Sequence, residues 1–289
     1  MASDNHNYTL PELMVTAAAR EIAEGEVIFV GMRLPLLGFL LAKSTHAPHA
    51  VGVYELGVIR DTLAPEPILT MGDLPNLCRA QWLADTADLM GLLQQGRVDA
   101  SFIGGAQVDR FGNLNTSYIL TADRRPIRHS LWSQGRPPTA EQISQGQGRD
   151  ILPQWIETRL PGSGGACDLA SLAKRHIIIM AHEKRRFVPK VDYITSPGYG
   201  DGAGWRERVG LPRGGPSTVI TTLGVLRFDS ETREMVLIST HPGVTVETVL
   251  ENTGWPLRVA SEVTQTPLPT AAELTKLRQF DPQGFWTGG

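Results

Sequence analysis

Cysteine is nearly absent from this sequence. The 289 residues include only two, Cys78 and Cys167, which lie far apart and form no metal-ligand spacing. The sequence therefore predicts no bound metal, and so few cysteines are typical of a protein from a reducing compartment. A chain of this length buries about 75% of its unfolded surface, so it needs neither disulfides nor metals to stay folded.

Long apolar runs and an excess of charge are absent too. The most apolar stretch covers residues 34–42, whereas a membrane-spanning helix needs about 20 apolar residues. The N-terminus lacks the basic segment and apolar core of a secretory signal. The net charge of −3 gives no reason to expect nucleic acid or an acidic membrane as a partner. We expect a cytoplasmic protein with no nucleic-acid or membrane partner.

Several familiar catalytic motifs are absent from this sequence. The run HEKRR at 182–186 has Arg186 where a zinc-protease helix needs its second histidine. The GSG at 162–164 is not a nucleophile elbow. The glycines of 198–203 follow Ser196-Pro197 and are too dense to open a dinucleotide-binding helix directly, and no P-loop is present. The remaining possibility is chemistry that side chains and backbone amides perform unaided.

The order of predicted elements indicates an α/β fold. Thr9 and Glu12 form a capping-box pattern with Pro11 in the first turn, which predicts a helix whose apolar spacing extends to Ile22. Further helices are predicted at 34–47, 82–95, 246–252 and 271–279. Strands are predicted at 26–30, 50–54, 99–103, 176–181, 218–222, 224–228 and 235–240. Short apolar strands that alternate with helices favour an open, mostly parallel sheet with helices on both faces. A hairpin at 229–232 adds antiparallel strands in the C-terminal half.

One segment differs from the rest of this single domain of residues 1–289. Residues 134–161 are rich in Gly, Pro, Gln and Ser, with a short helix predicted at 151–157. The pattern predicts a surface insertion. The alternative is a lid or an arm that contacts a partner.

Glu55 is the first candidate for chemistry. It follows the buried strand 50–54, and open α/β sheets place their ligands beside such strand ends. Gly57, two residues on, allows another backbone or a ligand to come close. Taken alone, a glutamate at a strand end is more often a solvated loop residue.

Two glycine-rich segments are the other candidates. The strand that ends at Gly104-Gly105 exposes backbone N–H groups, although 110–113 is also good turn chemistry. The loop GSGGA at 162–166 opens a predicted helix, and free amides at a helix N-terminus attract a phosphate or a developing oxyanion. A flexible connector is the alternative for this loop.

Together these segments resemble the family I CoA transferases, and most closely the B subunits of glutaconate CoA-transferases. The resemblance extends over nearly the whole chain, in GMRLP (31–35), ELG (55–57), GDL (72–74), IGGAQ (103–107), GSGGA (162–166), HEKRRF (182–187), VDYITSPG (191–198), RERVGLP (206–212) and LENTG (250–254). It implies the CoA-transferase (NagB/RpiA-like) fold. It also implies a pairing with an A subunit, as A2B2, with the active site at their junction.

The resemblance assigns roles to particular residues. Glu55 matches the nucleophilic glutamate of an E-x-G motif, so it would carry a glutamyl-CoA thioester. The amides around Gly164, Gly165 and Ala166 would stabilise the oxyanion, with the loop at Gly31 as a lesser candidate. Coenzyme A would be a substrate and covalent intermediate, with no tightly bound cofactor, and the other substrates would be an acyl-CoA and a carboxylic acid.

Substrate-binding residues are less well defined. Gln107, beside Gly105, could hydrogen-bond a substrate carboxylate or have a structural role next to the turn. The run 182–186 could meet a dicarboxylate or the phosphates of CoA, but a solvated face or an ion-pair network is more common. The segment 134–161 is longer than expected, so the resemblance does not define the entrance to the substrate site. Arg33 departs from the family's G-x-G and places a positive charge where a small residue would lie. The resemblance implies a dicarboxylic acid as the substrate. Aromatic acids and 3-oxo acids remain alternatives.

Two other functions remain open at this point. Relatives with this fold include ring-opening carbon–carbon hydrolases and decarboxylases of CoA thioesters, in which the place of the nucleophilic glutamate is occupied differently. The chain could also be a non-catalytic scaffold whose partner holds the active site. Retention of Glu55 favours transfer.

Overall fold

The fold is built on a large β-sheet. A computed structural model describes residues 7–122, 155–211 and 213–288. The strands are β1 (Val27–Val30), β2 (Val51–Tyr54), β3 (Val58–Arg60), β4 (Trp82–Leu83), β5 (Ala100–Ile103), β6 (Gln107–Val108), β7 (Leu114–Asn115), β8 (Tyr118–Leu120), β9 (Ile156–Arg159), β10 (Arg175–Met180), β11 (Pro216–Thr221), β12 (Gly224–Phe228), β13 (Met235–Thr240) and β14 (Arg258–Gln265). The helices are α1 (Leu10–Ala19), α2 (Leu34–Ser44), α3 (Leu74–Leu77), α4 (Thr86–Gln94), α5 (Ala166–Leu172), α6 (Trp205–Arg208), α7 (Val246–Glu251) and α8 (Ala271–Phe280).

The ten described strands of this sheet lie in the order β14-β13-β12-β11-β10-β5-β1-β2-β3-β4, and the centre of the sheet is parallel. Strands β11, β10, β5, β1 and β2 pair in parallel, so their carboxyl ends meet at one edge. Antiparallel pairs extend the sheet from β2 to β4 on one side and from β11 to β13 on the other. The predicted mostly parallel sheet, with antiparallel strands in the C-terminal half, is confirmed.

Two hydrophobic cores cover the two faces of the sheet. Successive strand residues point to opposite faces, so Val30 joins one core and Phe29 the other. The first core contains residues of α1, α2 and α8, including Leu37 and Leu277. The second contains residues of α4, α5 and α7. Helices thus shield the central strands from water on both faces, as a parallel sheet requires.

The predicted helix at 82–95 is wrong in its first four residues. Trp82 and Leu83 form the short edge strand β4, which pairs with β3. The helix begins at Thr86 because Asp85 caps it: its side chain accepts from the backbone N–H of Asp88, at 2.9 Å, and the Asp88 side chain returns the bond. The edge strand depends on pairing with a distant segment, so local spacing did not indicate it.

Other boundaries shift by smaller amounts. The predicted capping box at Thr9 is confirmed, but the first helix ends at Ala19, before Ile22. The predicted helix at 151–157 is wrong at Ile156 and Glu157, which belong to β9 and pair with β8. Residues 151–154 of that prediction, and the predicted insertion up to residue 154, fall outside the described residues. Among the described residues, no helix is long and apolar enough to cross a membrane.

Candidate active site

Glu55 directly follows β2 at the edge where the parallel strands end, and its side chain is half-buried. A tight turn fixes this position, because the Gly57 N–H donates to the Tyr54 carbonyl oxygen at 2.9 Å. Gly57 has a φ of 105°, which favours glycine, and an added Cβ would lie 2.0 Å from the carbonyl oxygen of Ala84. The geometry of this turn therefore requires the glycine of E-x-G.

The glycine-rich loop at 162–165 contacts the Glu55 carboxylate. A Cβ placed on Gly165 would lie 2.9 Å from Oε1 of Glu55 and 3.2 Å from Cε of Met90. Gly165 is also the residue that caps the N-terminus of α5. The structure thus brings together two of the predicted site segments, which lie far apart in the sequence.

The backbone amides of this loop differ in availability. The Ala166 N–H donates to the Ser163 carbonyl oxygen at 2.9 Å. The amides of Gly164 and Gly165 donate to no acceptor within the part of the chain that the structure describes. Gly164 adopts a φ of 49°, which turns the loop just before the helix. The two glycine amides are therefore more available than that of Ala166 for a developing negative charge.

Gly31 and Gly105 line a cleft at the carboxyl ends of the parallel strands. Val30 pairs with Tyr54, so Gly31 and Glu55 are the residues that follow the paired ends of β1 and β2. The cleft has a volume of about 590 Å³ and lies mainly over the ends of β1, β5 and β10. Its walls include the apolar side chains of Met14, Phe102 and Ile179.

The side chain of Gln107 is buried in contacts within the protein. Its amide nitrogen donates to Asp192 Oδ2 at 3.1 Å. Its oxygen accepts from the Asn115 side chain at 2.8 Å and from the backbone N–H of Asp192 at 3.0 Å. These bonds tie the β6–β7 hairpin to the segment around Asp192. They favour the structural alternative for this residue.

The basic run at 182–186 divides into a buried part and an exposed part. His182 is buried, stacks on Phe187 with ring centroids 3.7 Å apart, and bonds to the hydroxyls of Thr221 and Thr253. Burial lowers the pKa of His182 to about 4, so the ring is neutral at neutral pH. Beyond it, Glu183 pairs with both Arg185 and Arg186. These ion pairs agree with the ion-pair network that is one of the alternatives for this run in the sequence analysis.

Arg186 also lines the cleft beside Gly31, as does Arg33. Arg33 lies between β1 and α2 with a φ of 67°, which non-glycine residues rarely adopt. Its guanidinium lies over the Trp286 ring, 5.4 Å from the centroid. The only sequence signal for Arg33 was its departure from G-x-G, and nothing in the sequence connected it with Arg186 or Trp286.

A carboxylate at the tip of a parallel sheet, in contact with a glycine-rich helix start, defines a site suited to acyl transfer by a CoA transferase. The sequence model described as Coenzyme A transferase matches residues 12–252. The chain belongs to the Coenzyme A transferase family, as a subunit of the B type, and the predicted family is confirmed.

Two relatives and one solved structure show how far the similarity extends. The B subunit of 3-oxoadipate CoA-transferase from Pseudomonas knackmussii is 37% identical over 277 residues, covering 95% of this chain and 94% of the relative. The B subunit of glutaconate CoA-transferase from Acidaminococcus fermentans is 35% identical over 287 residues, covering 97% and 95%. The crystal structure of glutaconate coenzyme A-transferase from Acidaminococcus fermentans superposes with a TM-score of 0.81 at 33% identity, covering 99% of this chain and 100% of that one.

Proposed function

We propose that this chain is the B subunit of an enzyme that moves CoA from an acyl-CoA to a free dicarboxylic acid through a thioester on Glu55. The contact between Glu55 Oε1 and Gly165 is the observation that carries this proposal. The names of two relatives, 3-oxoadipate and glutaconate CoA-transferase, both refer to dicarboxylic acids. A dicarboxylic acid is therefore the substrate class that we propose here.

The reaction proceeds by two balanced exchanges. The Glu55 carboxylate attacks the thioester carbonyl of the acyl-CoA and displaces the CoA thiolate, which leaves a mixed anhydride. The thiolate then attacks the Glu55 carbonyl carbon and displaces the free acid, which leaves the glutamyl-CoA thioester. The acceptor acid repeats both steps in reverse order. No proton has to move, so no histidine or aspartate is required as a general base.

The glycine amides supply the charge stabilisation that this chemistry needs. Each exchange passes through a tetrahedral state with a negative oxygen, and losing one fixed donor raises such a barrier by about 3 kcal/mol. The amides of Gly164 and Gly165 suit this role because they have no acceptor among the described residues and Gly165 lies against the Glu55 carboxylate. A carboxylate is a weak nucleophile, so the fixed position of Glu55 contributes as well.

A partner subunit is needed to exclude water from the site. Both the anhydride and the thioester would hydrolyse in contact with water, and Glu55 is only half-buried in this chain. Next to it, Leu56 is 62% exposed, and the β4 residues Trp82 and Leu83 are 48% and 59% exposed. We propose that an A subunit covers this surface, as the B-subunit names of the relatives suggest, and that the assembly is A2B2.

The test is an activity assay on the chain co-expressed with its A subunit. The pair receives acetyl-CoA and glutarate, and the products are separated by chromatography. We expect glutaryl-CoA and acetate, and we expect Glu55→Gln to lose more than 99% of this activity. Glu66→Gln, at an exposed glutamate away from the site, should keep it.

Each contrary outcome points to a specific alternative. Full activity in Glu55→Gln would indicate a scaffold subunit whose partner holds the catalytic groups. Release of free CoA or CO2 without transfer to the added acid would indicate a hydrolase or a decarboxylase. Either result would contradict the proposed function.

A further inference from the structure

The cleft at the carboxyl ends of β1, β5 and β10 has a distinctive charge pattern. Among the described residues that line it, Arg33 and Arg186 are the ionisable ones, and both are cationic. The remaining walls are apolar side chains, glycines and one threonine, Thr222. A cleft of this kind fits a molecule that has a carbon chain and a negatively charged end.

Arg33 is held in the cleft by a strained backbone and an aromatic contact. Its φ of 67° with a ψ of −129° lies in a region that side chains other than glycine seldom occupy. Such strain persists where the surrounding structure enforces it, commonly at binding sites. The contact with Trp286 directs the guanidinium and supplies a cation–π interaction.

Trp286 is itself fixed in place. Its indole N–H donates to the Leu69 carbonyl oxygen at 3.0 Å, and its backbone N–H donates to Asp281 Oδ2 at 2.9 Å. The C-terminal segment therefore holds the ring on which the Arg33 guanidinium rests. A guanidinium that contacts a ring through its face keeps its in-plane N–H groups available for an anion.

Arg186 approaches the cleft from a different segment. The Val108 N–H donates to its carbonyl oxygen at 2.7 Å, which anchors the backbone beside the β6–β7 hairpin. Its Nε lies 3.4 Å from Glu183 Oε2, a long contact that steadies the side chain. Two arginines from separate segments thus line one cleft that reaches Gly31, and Gly31 follows the β1 residue that pairs with Tyr54, the residue before Glu55.

We propose that Arg33 and Arg186 bind the carboxylate of the acid substrate that does not react. This inference rests on the proposed function, because it needs the other carboxylate to lie at Glu55. The apolar walls contact the carbon chain between the two carboxylates, and the guanidiniums bind the remote one through charge-assisted hydrogen bonds. The cleft thereby selects dicarboxylic acids over monocarboxylic acids of the same length.

The test compares the two acid classes in the co-expressed pair. Initial rates are measured with acetyl-CoA and either glutarate or pentanoate, for the wild type and for Arg33→Met, Arg33→Gly and Arg186→Met. For each variant we expect kcat/KM for glutarate to fall by about tenfold to a hundredfold, the effect of losing a charge-assisted hydrogen bond. The value for pentanoate should change by less than threefold, and the KM for acetyl-CoA should stay constant.

Two variants serve as controls, one for a folding defect and one for the loss of any arginine that lies over an aromatic ring. Arg33→Gly removes the guanidinium at a position whose φ favours glycine, so a folding defect is not expected. Arg233 is a matched control, because it has a φ of 63° and lies over the Tyr199 ring at 5.2 Å but is in the β12–β13 turn, outside the cleft. Arg233→Met should leave both acids unaffected.

The contrary outcomes separate this inference from the proposed function. Equal losses for glutarate and pentanoate would overturn the inference while leaving transfer intact. A rise confined to the KM for acetyl-CoA would overturn it too, because it would assign the arginines to the phosphates of CoA. A wild-type pair that transfers no CoA to any acid would instead contradict the proposed function.

Discussion

Glu55 and Gly165 lie so close that a single methyl group would not fit between them. A Cβ on Gly165 would lie 2.9 Å from Oε1 of Glu55, closer than the ordinary contact distance of carbon and oxygen. Gly165 has a φ of −76°, which any residue can adopt, so the turn does not require glycine for its backbone conformation. Gly165 is needed because a side chain at this position would occupy volume that the Glu55 carboxylate fills.

Gly165→Ala should therefore separate activity from stability. The added methyl group displaces the flexible end of Glu55, which costs little folding energy but moves the nucleophile from its donors. We expect the rate of CoA transfer to fall by about 100-fold, since a displacement near 1 Å has effects of that size. The midpoint of thermal unfolding should shift by less than about 3 °C.

A matched control for that variant lies on α4. Gly91→Ala adds the same methyl group where no atom lies within 4 Å, and a helix interior favours alanine. It should keep full activity and raise the free energy of unfolding by about 0.5–1 kcal/mol. Equal activity in the two variants would contradict a close contact between Gly165 and the working carboxylate.

Gly57→Ala should reduce both activity and stability. The new Cβ would collide with the backbone carbonyl of Ala84, at 2.0 Å, in addition to the cost of a φ of 105°. The turn that carries Glu55 must then move. We expect a loss of more than about 2 kcal/mol in the free energy of unfolding, measured by chemical denaturation, together with loss of transfer.

Gly25→Ala isolates the backbone part of this effect. Gly25 has a φ of 75°, and no atom lies within 4 Å of its missing Cβ. This variant should lose about 1 kcal/mol and keep its activity. A Gly57→Ala protein no less stable than the Gly25→Ala protein would show that the clash is relieved elsewhere.

His182 should make stability depend on pH in the acid range. Burial lowers its pKa to about 4, from an ordinary value of 6.5. The folded protein therefore holds the neutral ring, and the stability that this contributes is complete above about pH 6.5 and is lost as the pH falls toward 4. The shift corresponds to about 3 kcal/mol at the acid end.

The measurement is a comparison of pH profiles. The wild type should lose more stability than His182→Asn between pH 7 and pH 4, because only the wild type takes up this proton on unfolding. The baseline loss from removing the Phe187 stack is present at every pH and cancels in the comparison. Parallel profiles for the two proteins would contradict a buried neutral ring.

The exposed apolar surface around Glu55 should be required for assembly with the partner. Leu56→Glu places a charge on that surface and should reduce the yield of co-purified partner at least tenfold, because burying an unpaired charge is costly. Val209→Glu changes an exposed valine near α6 and should have no effect. Size-exclusion chromatography of the two co-expressed pairs gives the comparison, and equal yields of assembly would place the partner elsewhere.

The sequence predicted the parallel core better than its edges. Buried strands such as β1 and β2 were predictable from the sequence, because continuous apolar runs are typical of strands covered on both faces. The edge strand β4 was missed because its two residues are exposed and depend on pairing with Ile59. Local patterns carry no information about such a partner.

The site shows the same division. Glu55 and the glycine-rich loop were identifiable because strand ends and helix starts have local signatures and a family likeness. The availability of the Gly164 and Gly165 amides, in contrast to that of Ala166, depends on one loop hydrogen bond and was not predictable. Nor was the stacking of Arg33 on Trp286, which joins two ends of the chain.

The most direct test of the central claim is the mass of the peptide that contains Glu55. The co-expressed pair is incubated with acetyl-CoA without an acceptor acid, quenched in acid and digested, and the peptides are analysed by mass spectrometry. We predict that CoA is attached to Glu55 and that an added dicarboxylic acid removes it. An unmodified Glu55 peptide from a pair that turns over under the same conditions would contradict the account.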